Sequence, residues 1–253
     1  MSICQIDDVR LEELEREYLN YIVTALKGDL KRVINGLNSR IEILPNWKHE
    51  FLRTARRGFK QPSDLDAGAE RTFHHFFKRL FEFPNTSPIG ADLMYYLPEI
   101  AIIHIEIKTN VVTNTDYKGK IQLGRNQITY KTKRFKPNLP MFYTSVNVPT
   151  LTYCIQIVHE HLKPKINALS VICIPNGQLS KYYGTKVLQA GKGGWKKASD
   201  IRYNYAREPR FLLLSNRDKR DIFRIENLIL DKKIGIRGLT GKDLKIKPFC
   251  EEI

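Results

Sequence analysis

The sequence has few cysteines and no long apolar segment. Four cysteines, Cys4, Cys154, Cys173 and Cys250, are scattered through 253 residues, and none belongs to a Cys-x-x-Cys pair. This usage argues against a disulfide-stabilised secreted protein and against a zinc ribbon. No apolar run reaches the roughly 18 residues needed to span a bilayer, and the acidic N-terminal residues do not resemble a signal peptide. We therefore expect a cytoplasmic protein with no membrane partner.

Motifs of several enzyme classes are also missing. Residues 238–242 read Gly-Leu-Thr-Gly-Lys, but their spacing does not fit a phosphate-binding loop, and Asp243 follows the lysine. The chain has no Gly-x-Ser-x-Gly elbow and no Cys/His nucleophile pattern. The His pairs at 74–75 and 159/161 lack further ligands at zinc-site spacing. We therefore expect no nucleotide cofactor, no acyl-transfer nucleophile and no zinc site.

Acidic residues are in short supply relative to basic ones. There are 42 Lys and Arg against 27 Asp and Glu, a net charge of +15. Residues 108–137 hold eight basic residues and one acid, and residues 178–253 hold 18 basic and 9 acidic residues. Such an excess favours a polyanionic partner, with nucleic acid as the first candidate. A hydrophobic content of 42% is ordinary for a globular chain, so a proper core is also expected.

Hydrophobic periodicity predicts a helical N-terminal part. Apolar residues recur at helical spacing through much of residues 1–60, and Gly28 and Gly36 are expected to break or end these helices. A further helix over 65–81 is predicted to have Ser63 or Asp64 as its N-cap.

The pattern becomes extended after the proline-rich loop at 84–88. We predict strands at 92–96 and 100–109 joined by a tight turn, and further extended runs at 140–148, 150–157 and 168–175. The basic stretch 118–136 is expected to be helix or loop, and residues 218–230 a helix. The prediction is an α/β fold with a helical region (1–60), a catalytic core (61–175) and a basic C-terminal region (176–253), together forming one compact unit.

Charged side chains within the predicted strand 100–109 are the most informative feature. Because side chains alternate along a strand, Glu106 and Lys108 share one face. Burying such charges costs several kcal/mol unless they are paired or bind a metal. An antiparallel hairpin would bring Asp92 close to Glu106, and two carboxylates form an oxygen site of the kind that Mg²⁺ prefers. Lys108 would then orient a water molecule or stabilise charge on a phosphate. The alternative is a surface hairpin with a weak Glu106–Lys108 ion pair.

The spacing Asp92-x13-Glu106-x-Lys108, after a helix and a proline-rich loop, resembles the PD-(D/E)XK nuclease superfamily. The resemblance covers about residues 63–175, with Ala91 where the family pattern often has proline. It implies a restriction-endonuclease-like core with a central mixed β-sheet flanked by helices. It also implies Asp92, Glu106 and Lys108 as catalytic residues, Asp92 and Glu106 as metal ligands, and Glu70 on the preceding helix as a further ligand.

Basic segments rich in amides and aromatics are expected to contact DNA, since Lys and Arg neutralise phosphates while Asn and Gln can read base edges. The predicted contacts in the first segment are Lys118, Lys120, Gln122, Arg125, Asn126, Gln127, Lys131, Lys133 and Arg134. Those in the second are Lys192, Lys196, Lys197 and Arg202. Further phosphate contacts are expected near the predicted C-terminal helix from Arg217, Lys219, Arg220 and Arg224.

The resemblance is greatest to a stand-alone type II restriction endonuclease. It implies a Mg²⁺-dependent, site-specific cut in double-stranded DNA that leaves 5′-phosphate and 3′-hydroxyl ends, and a homodimer if the target is palindromic. Two alternatives remain at this point. One is a structure-specific repair or junction nuclease of the same superfamily, and the other is a non-catalytic DNA-binding protein.

Overall fold

The computed structural model describes residues 6–39, 62–77, 91–114, 117–124, 138–141, 147–160, 165–191, 201–216 and 222–231, together with residues 194, 218 and 234. In these parts of the chain the helices are α1 (Asp8–Gly28), α2 (Leu30–Ser39), α3 (Pro62–Phe77) and the short α4 (Ser180–Tyr183). The strands are β1 (Leu93–Leu97), β2 (Ala101–Val111), β3 (Ile121–Leu123), β4 (Thr150–His159), β5 (Ile166–Ile174), β6 (Leu188–Ala190), β7 (Ile201–Tyr203) and β8 (Ile225–Leu230). None of the described helices is long and apolar enough to cross a membrane.

The helix termini follow local capping rules only in part. The side chain of Asp7 accepts a hydrogen bond from the Arg10 amide and caps α1, which ends at Gly28 as predicted. Gly36 lies inside α2 and is buried, so the prediction that it breaks or ends a helix is wrong. Packing at this position outweighs the low helix propensity of glycine.

The start of α3 also differs from the prediction. The helix begins at Pro62, so Ser63 and Asp64 lie in its first turn instead of at its N-cap. Proline suits the first helical position because its φ angle is already helical and the missing N–H would have no helical partner there.

A five-stranded mixed sheet forms the centre of the fold, with strand order β1-β2-β4-β5-β8. The pair β2–β4 is parallel, and the other neighbouring pairs are antiparallel. The predicted hairpin is confirmed as β1, a turn at 98–100 and β2. Every residue of β4 and β5 is buried, which fits strands at the middle of a sheet covered on both faces.

A second sheet of three short strands has the order β3-β7-β6. It includes residues 121–123 from the stretch predicted to be helix or loop, while residues 125–137 lie outside the described part. The predicted helix at 218–230 is wrong, because residues 225–230 form β8 and pair with β5. Over six residues, a short apolar run does not distinguish a helix from a strand, and the open edge of β5 supplies the hydrogen-bond partners.

The first helix covers one face of the central sheet. The hydroxyl of Tyr153 on β4 donates to the main-chain oxygen of Glu15 on α1, at 2.9 Å. On the same face Tyr95 of β1 packs against Phe77 of α3, with ring centroids 6.2 Å apart. Neighbouring residues on these strands point to the opposite face of the sheet, which is therefore turned away from α1 and α3.

Arg224 is fully buried, so the prediction that it contacts phosphate is wrong. Its Nη2 lies 2.7 Å from Oε2 of Glu15, and its Nε donates to the Tyr183 hydroxyl at 2.7 Å. The guanidinium also stacks between the rings of Tyr183 and Phe211, at 4.7 and 4.2 Å from their centroids. A buried arginine needs such partners, and here they join α1 to the C-terminal part of the chain.

Candidate active site

Asp92 stands one residue before β1, where the hairpin brings it beside β2. Leu93 pairs with Ile105, and the next position along each strand places Asp92 next to Glu106. Oδ2 of Asp92 accepts a hydrogen bond of 2.7 Å from the main-chain N–H of Ile107. Burial raises the pKa of the Asp92 carboxyl, although the Ile107 hydrogen bond and the charge of Lys108 oppose this. The hairpin therefore fixes the first predicted acid against the strand that carries the other two residues.

Glu106 lies near the middle of β2 with its side chain only 4% exposed. Burial raises the pKa of its carboxyl to about 7, even though the Lys108 ammonium favours the ionised form. The nearby carboxylates of Asp92 and Glu70 raise this pKa further. Oε1 of Glu106 accepts a hydrogen bond from Nζ of Lys108, whereas Oε2 is buried without a hydrogen-bond partner among the described residues.

Lys108 follows on the same face of β2 and forms an ion pair with Glu106. Burial by itself lowers the pKa of the Lys108 ammonium, but the Glu106 carboxylate outweighs burial and the net pKa is raised. Lys108 is therefore a protonated, cationic group at neutral pH. With Glu106 almost fully buried, the alternative of a weak ion pair on a surface hairpin does not describe this pair.

Glu70 lies on α3, as predicted, and its side chain is exposed. Its carboxylate is close enough to raise the pKa of Glu106. The carboxylates of Asp92 and Glu70 are therefore both near enough to Glu106 to affect its charge. Among the described residues, however, no three His, Cys, Asp or Glu side chains lie close enough together to hold a metal ion by themselves.

The donor set fits a hard divalent cation. The Asp92 carboxylate and the second oxygen of Glu106 are oxygen donors, and Mg²⁺ takes one or two protein carboxylates while keeping several waters. A buried carboxylate oxygen with no protein hydrogen bond is costly, and a bound cation would remove that cost.

Sequence reasoning missed Gln156 of β4, which is paired in register with Lys108 and is buried. Its Oε1 lies 3.1 Å from the hydroxyl of Tyr205, just after β7. The same hydroxyl donates to the main-chain oxygen of Tyr117 at 2.6 Å and accepts from the Gly119 amide at 3.0 Å. A glutamine inside the apolar run 150–157 was the available signal. These contacts fix the second sheet beside the strand pair that carries Lys108.

The predicted DNA contacts fall in two groups. Besides Arg224, which is buried, four of them are described: Gln122 on β3 is exposed, Arg202 on β7 is half-buried, Lys118 lies in a turn and Lys120 immediately precedes β3. Nζ of Lys118 lies 5.8 Å from the centre of the Tyr117 ring. The others lie outside the described residues: Arg125, Asn126, Gln127, Lys131, Lys133, Arg134, Lys192, Lys196, Lys197, Arg217, Lys219 and Arg220.

Two structures of DNA-bound restriction enzymes share this fold. One is the restriction endonuclease BglI bound to its DNA recognition sequence, with 14% identity, a TM-score of 0.56, and coverage of 88% of this chain and 92% of BglI. The other is the tetrameric restriction endonuclease SfiI bound to cognate DNA, with 14% identity, a TM-score of 0.57, and coverage of 91% of this chain and 88% of SfiI. These similarities confirm the predicted restriction-endonuclease-like fold.

Family models extend the comparison to function. A search of curated proteins gave no match. Residues 7–163 match the N-terminal domain of the type II restriction enzyme MwoI, and residues 166–225 match the central domain of the same enzyme. The chain therefore belongs to the MwoI family of type II restriction enzymes and is a site-specific deoxyribonuclease.

Proposed function

We propose that Asp92 and Glu106 bind Mg²⁺ and that Lys108 assists hydrolysis of the phosphodiester bond. The observation that carries this proposal is the buried Glu106, whose Oε2 has no hydrogen-bond partner among the described residues while Oε1 accepts from Lys108. Asp92 stands beside it, held by the Ile107 amide. Glu70 is proposed as a further, outer acid that acts on the same cation.

The bound cation and Lys108 would have different roles in phosphodiester hydrolysis. A bound Mg²⁺ supplies electrophilic stabilisation of charge on the phosphate. The raised pKa of Lys108 keeps its ammonium charged, so it would orient the attacking water and offset charge on the phosphate oxygens rather than accept a proton. The water oxygen would form a bond to phosphorus and release a proton to solvent, the bond between phosphorus and the 3′ oxygen would break, and that oxygen would take up a proton from solvent. The products would carry 5′-phosphate and 3′-hydroxyl ends.

DNA would be held on the basic surface next to the second sheet. Lys118, Lys120 and Arg202 are the described candidates, and the remaining predicted contacts are proposed to extend this surface. We also propose a homodimer, because a two-fold symmetric enzyme matches a palindromic site on DNA. SfiI, which shares the fold, is described as tetrameric. A tetramer is therefore the alternative to the proposed homodimer.

The test is to digest plasmid and phage DNA with the purified protein in Mg²⁺ or EDTA and to sequence the new ends. The proposal predicts Mg²⁺-dependent cleavage at one recurrent sequence, with ends that a DNA ligase rejoins without prior phosphorylation. Intact DNA over a wide range of sequences, or equal cleavage in EDTA, would contradict it. Cutting confined to branched DNA would indicate a structure-specific nuclease, and binding without cutting in Mg²⁺ would indicate a non-catalytic protein.

A further inference from the structure

The outer face of the second sheet carries a row of three polar side chains. Arg202 of the central strand β7 is paired directly with Gln122 of β3 on one side and with Gln189 of β6 on the other. Both glutamines are exposed, and Arg202 is half-buried between them. The residues that flank Gln122 and Arg202 along their strands point the other way and are almost fully buried: Ile121, Leu123, Ile201 and Tyr203. We call Gln122, Arg202 and Gln189 the Gln-Arg-Gln row.

From this register we propose that the Gln-Arg-Gln row reads base edges in the DNA target, with Arg202 on a guanine and the two glutamines on adjacent bases. The inference rests on the proposed DNA cleavage and assigns part of its sequence specificity. It adds Gln189, which is not among the predicted contacts, and gives Arg202 a base-reading role where a phosphate contact was expected.

The chemistry of the row favours bases over phosphates. An arginine presents two parallel donors that match O6 and N7 of guanine, and a glutamine presents a donor and an acceptor that match N7 and N6 of adenine. A glutamine has no charge to neutralise a phosphate, so two of them flanking one arginine fit base edges better than a backbone.

The length of the Gln-Arg-Gln row also matches the spacing of stacked bases in DNA. Neighbouring strands lie about 4.8 Å apart, so the row spans about 10 Å across three strands. Bases stack about 3.4 Å apart along one strand of DNA, so the row covers about three base pairs.

The second sheet is held firmly, which a base-reading surface requires. The amide of Asn204 donates to the main-chain oxygen of Val187, joining the ends of β7 and β6, and the amide of Ala206 donates to the oxygen of Gly119 at 3.1 Å. Tyr205 then connects this sheet to Gln156, which is in register with Lys108 on the neighbouring strand. Through these contacts the row has a fixed position relative to the residue proposed to act at the scissile phosphate.

Basic residues precede two of the strands and are available to hold the backbone on either side of the row. Lys120 immediately precedes β3, and Lys186 lies two residues before β6 with its side chain exposed. Phosphate contacts from these lysines would set the register, while the row would select the sequence.

The test selects bound duplexes from a randomised DNA library with the full-length protein, using Ca²⁺ in place of Mg²⁺ so that binding is scored apart from cleavage. Gln122→Glu and Gln189→Glu should each shift the selected base at one position from adenine to cytosine, because a carboxylate accepts from the cytosine amino group. Arg202→Lys keeps the charge and loses the two-donor geometry, so it should reduce discrimination for guanine by about 10- to 100-fold. Thermal unfolding checks that each variant is folded.

Matched controls lie on the exposed face of α1, across the central sheet. Asn20→Asp makes the same amide-to-acid change, Arg10→Lys makes the same cation exchange, and both should select the wild-type motif. The inference is overturned if the row variants select the wild-type motif, or if Arg202→Ala lowers affinity equally for all sequences and reduces its salt dependence. It is also overturned if the wild type selects no motif. The two proposals can also fail separately. If the row variants change the selected motif but the wild type does not cleave DNA in Mg²⁺, base reading by the Gln-Arg-Gln row is supported and the proposed cleavage chemistry is refuted.

Discussion

Glu106 and Lys108 stand two residues apart on one strand, and burial acts on them in opposite directions. It raises the pKa of the glutamate to about 7 and by itself would lower the pKa of the lysine. The negative charge of Glu106 raises the pKa of Lys108 again. The pair therefore combines a carboxyl that is protonated more easily than usual with an ammonium that stays charged at neutral pH. A cation that binds the carboxylate would favour its ionised form at neutral pH.

The raised pKa of Glu106 predicts a pH dependence of stability in the metal-free protein. A carboxyl with an ordinary pKa near 4.5 when unfolded and about 7 when folded binds its proton more tightly in the folded state. Its contribution to stability is therefore present below about pH 4.5 and is lost as the pH rises through about 7. In EDTA, the Tm of Glu106→Gln minus that of the wild type should increase with pH across this window.

The control variant is Glu17→Gln, which replaces an exposed glutamate on α1. Its Tm should follow the wild type throughout the same pH range. A constant difference in Tm between Glu106→Gln and the wild type would show that the Glu106 carboxyl has an ordinary pKa when folded.

At the level of single residues, the grouping of Asp92, Glu106 and Lys108 in space was predictable from the strand pattern. A glutamate and a lysine on one face of an apolar strand, with Asp92 one hairpin turn away, are costly to bury unless they are paired or bind a metal. Gln156 and Tyr205 were not predictable, because each has an ordinary role in a sheet until the fold brings the two side chains within 3.1 Å. Arg224 was assigned wrongly because its buried partner, Glu15, lies far away in the sequence.

Among the structural elements, α1 is fixed by hydrogen bonds to distant parts of the chain. The carboxylate of Glu12 accepts from the amides of Leu212 and Leu214, and that of Glu15 accepts from the Asn176 amide. Glu15 also forms the buried ion pair with Arg224. The first helix is therefore held by residues 176, 212, 214 and 224, the last of which immediately precedes β8.

Removing one member of this buried pair should be strongly destabilising. Arg224→Met leaves the Glu15 carboxylate without its cation and should lower the free energy of unfolding by about 3–5 kcal/mol. Glu15→Gln should also be costly, and the double variant should lose less than the sum of the two because the charges are coupled. Urea unfolding measures all three. Arg10→Met, which breaks only the exposed ion pairs with Glu13 and Glu17, should change stability by about 0.5 kcal/mol or less. Additive losses in the double variant would argue against the coupling.

Elements with strong local signals were predicted well and those that depend on distant partners were not. The long helix α1 and the hairpin of β1 and β2 have clear periodicity and a proline-containing turn. By contrast, β8 becomes a strand because β5 offers an open edge, and β3 because β7 pairs with it. Neither partner is close in sequence, so periodicity alone could not assign them.

On the scale of the whole molecule, the net charge of +15 suits an enzyme that binds a polyanion. The central sheet has α1 and α3 on one face, while the other carries Glu106 and Lys108 beside the second sheet. DNA would therefore approach from the side of the second sheet.

Assembly is testable at the same scale. If the homodimer proposal holds, light scattering with size-exclusion chromatography should give twice the 29.5 kDa mass of one chain for the free protein. A two-fold symmetric complex on DNA should contain two chains for each recognition site. A mass of one chain, both free and on DNA, would contradict the homodimer, and a mass of four chains would replace it with a tetramer.

The catalytic roles proposed for Asp92 and Lys108 are tested most directly by measuring cleavage and DNA binding in the same variants. Asp92→Ala and Lys108→Ala are assayed for cleavage in Mg²⁺ and for affinity on the DNA that the wild type cuts, with Lys27→Ala on α1 as an exposed control. Both site variants should lose cleavage by at least about 10³-fold while their affinity for DNA changes little, because Asp92 and Lys108 act on the reacting phosphate and not on the DNA-binding surface. Cleavage at the wild-type rate by either site variant would contradict the proposed roles.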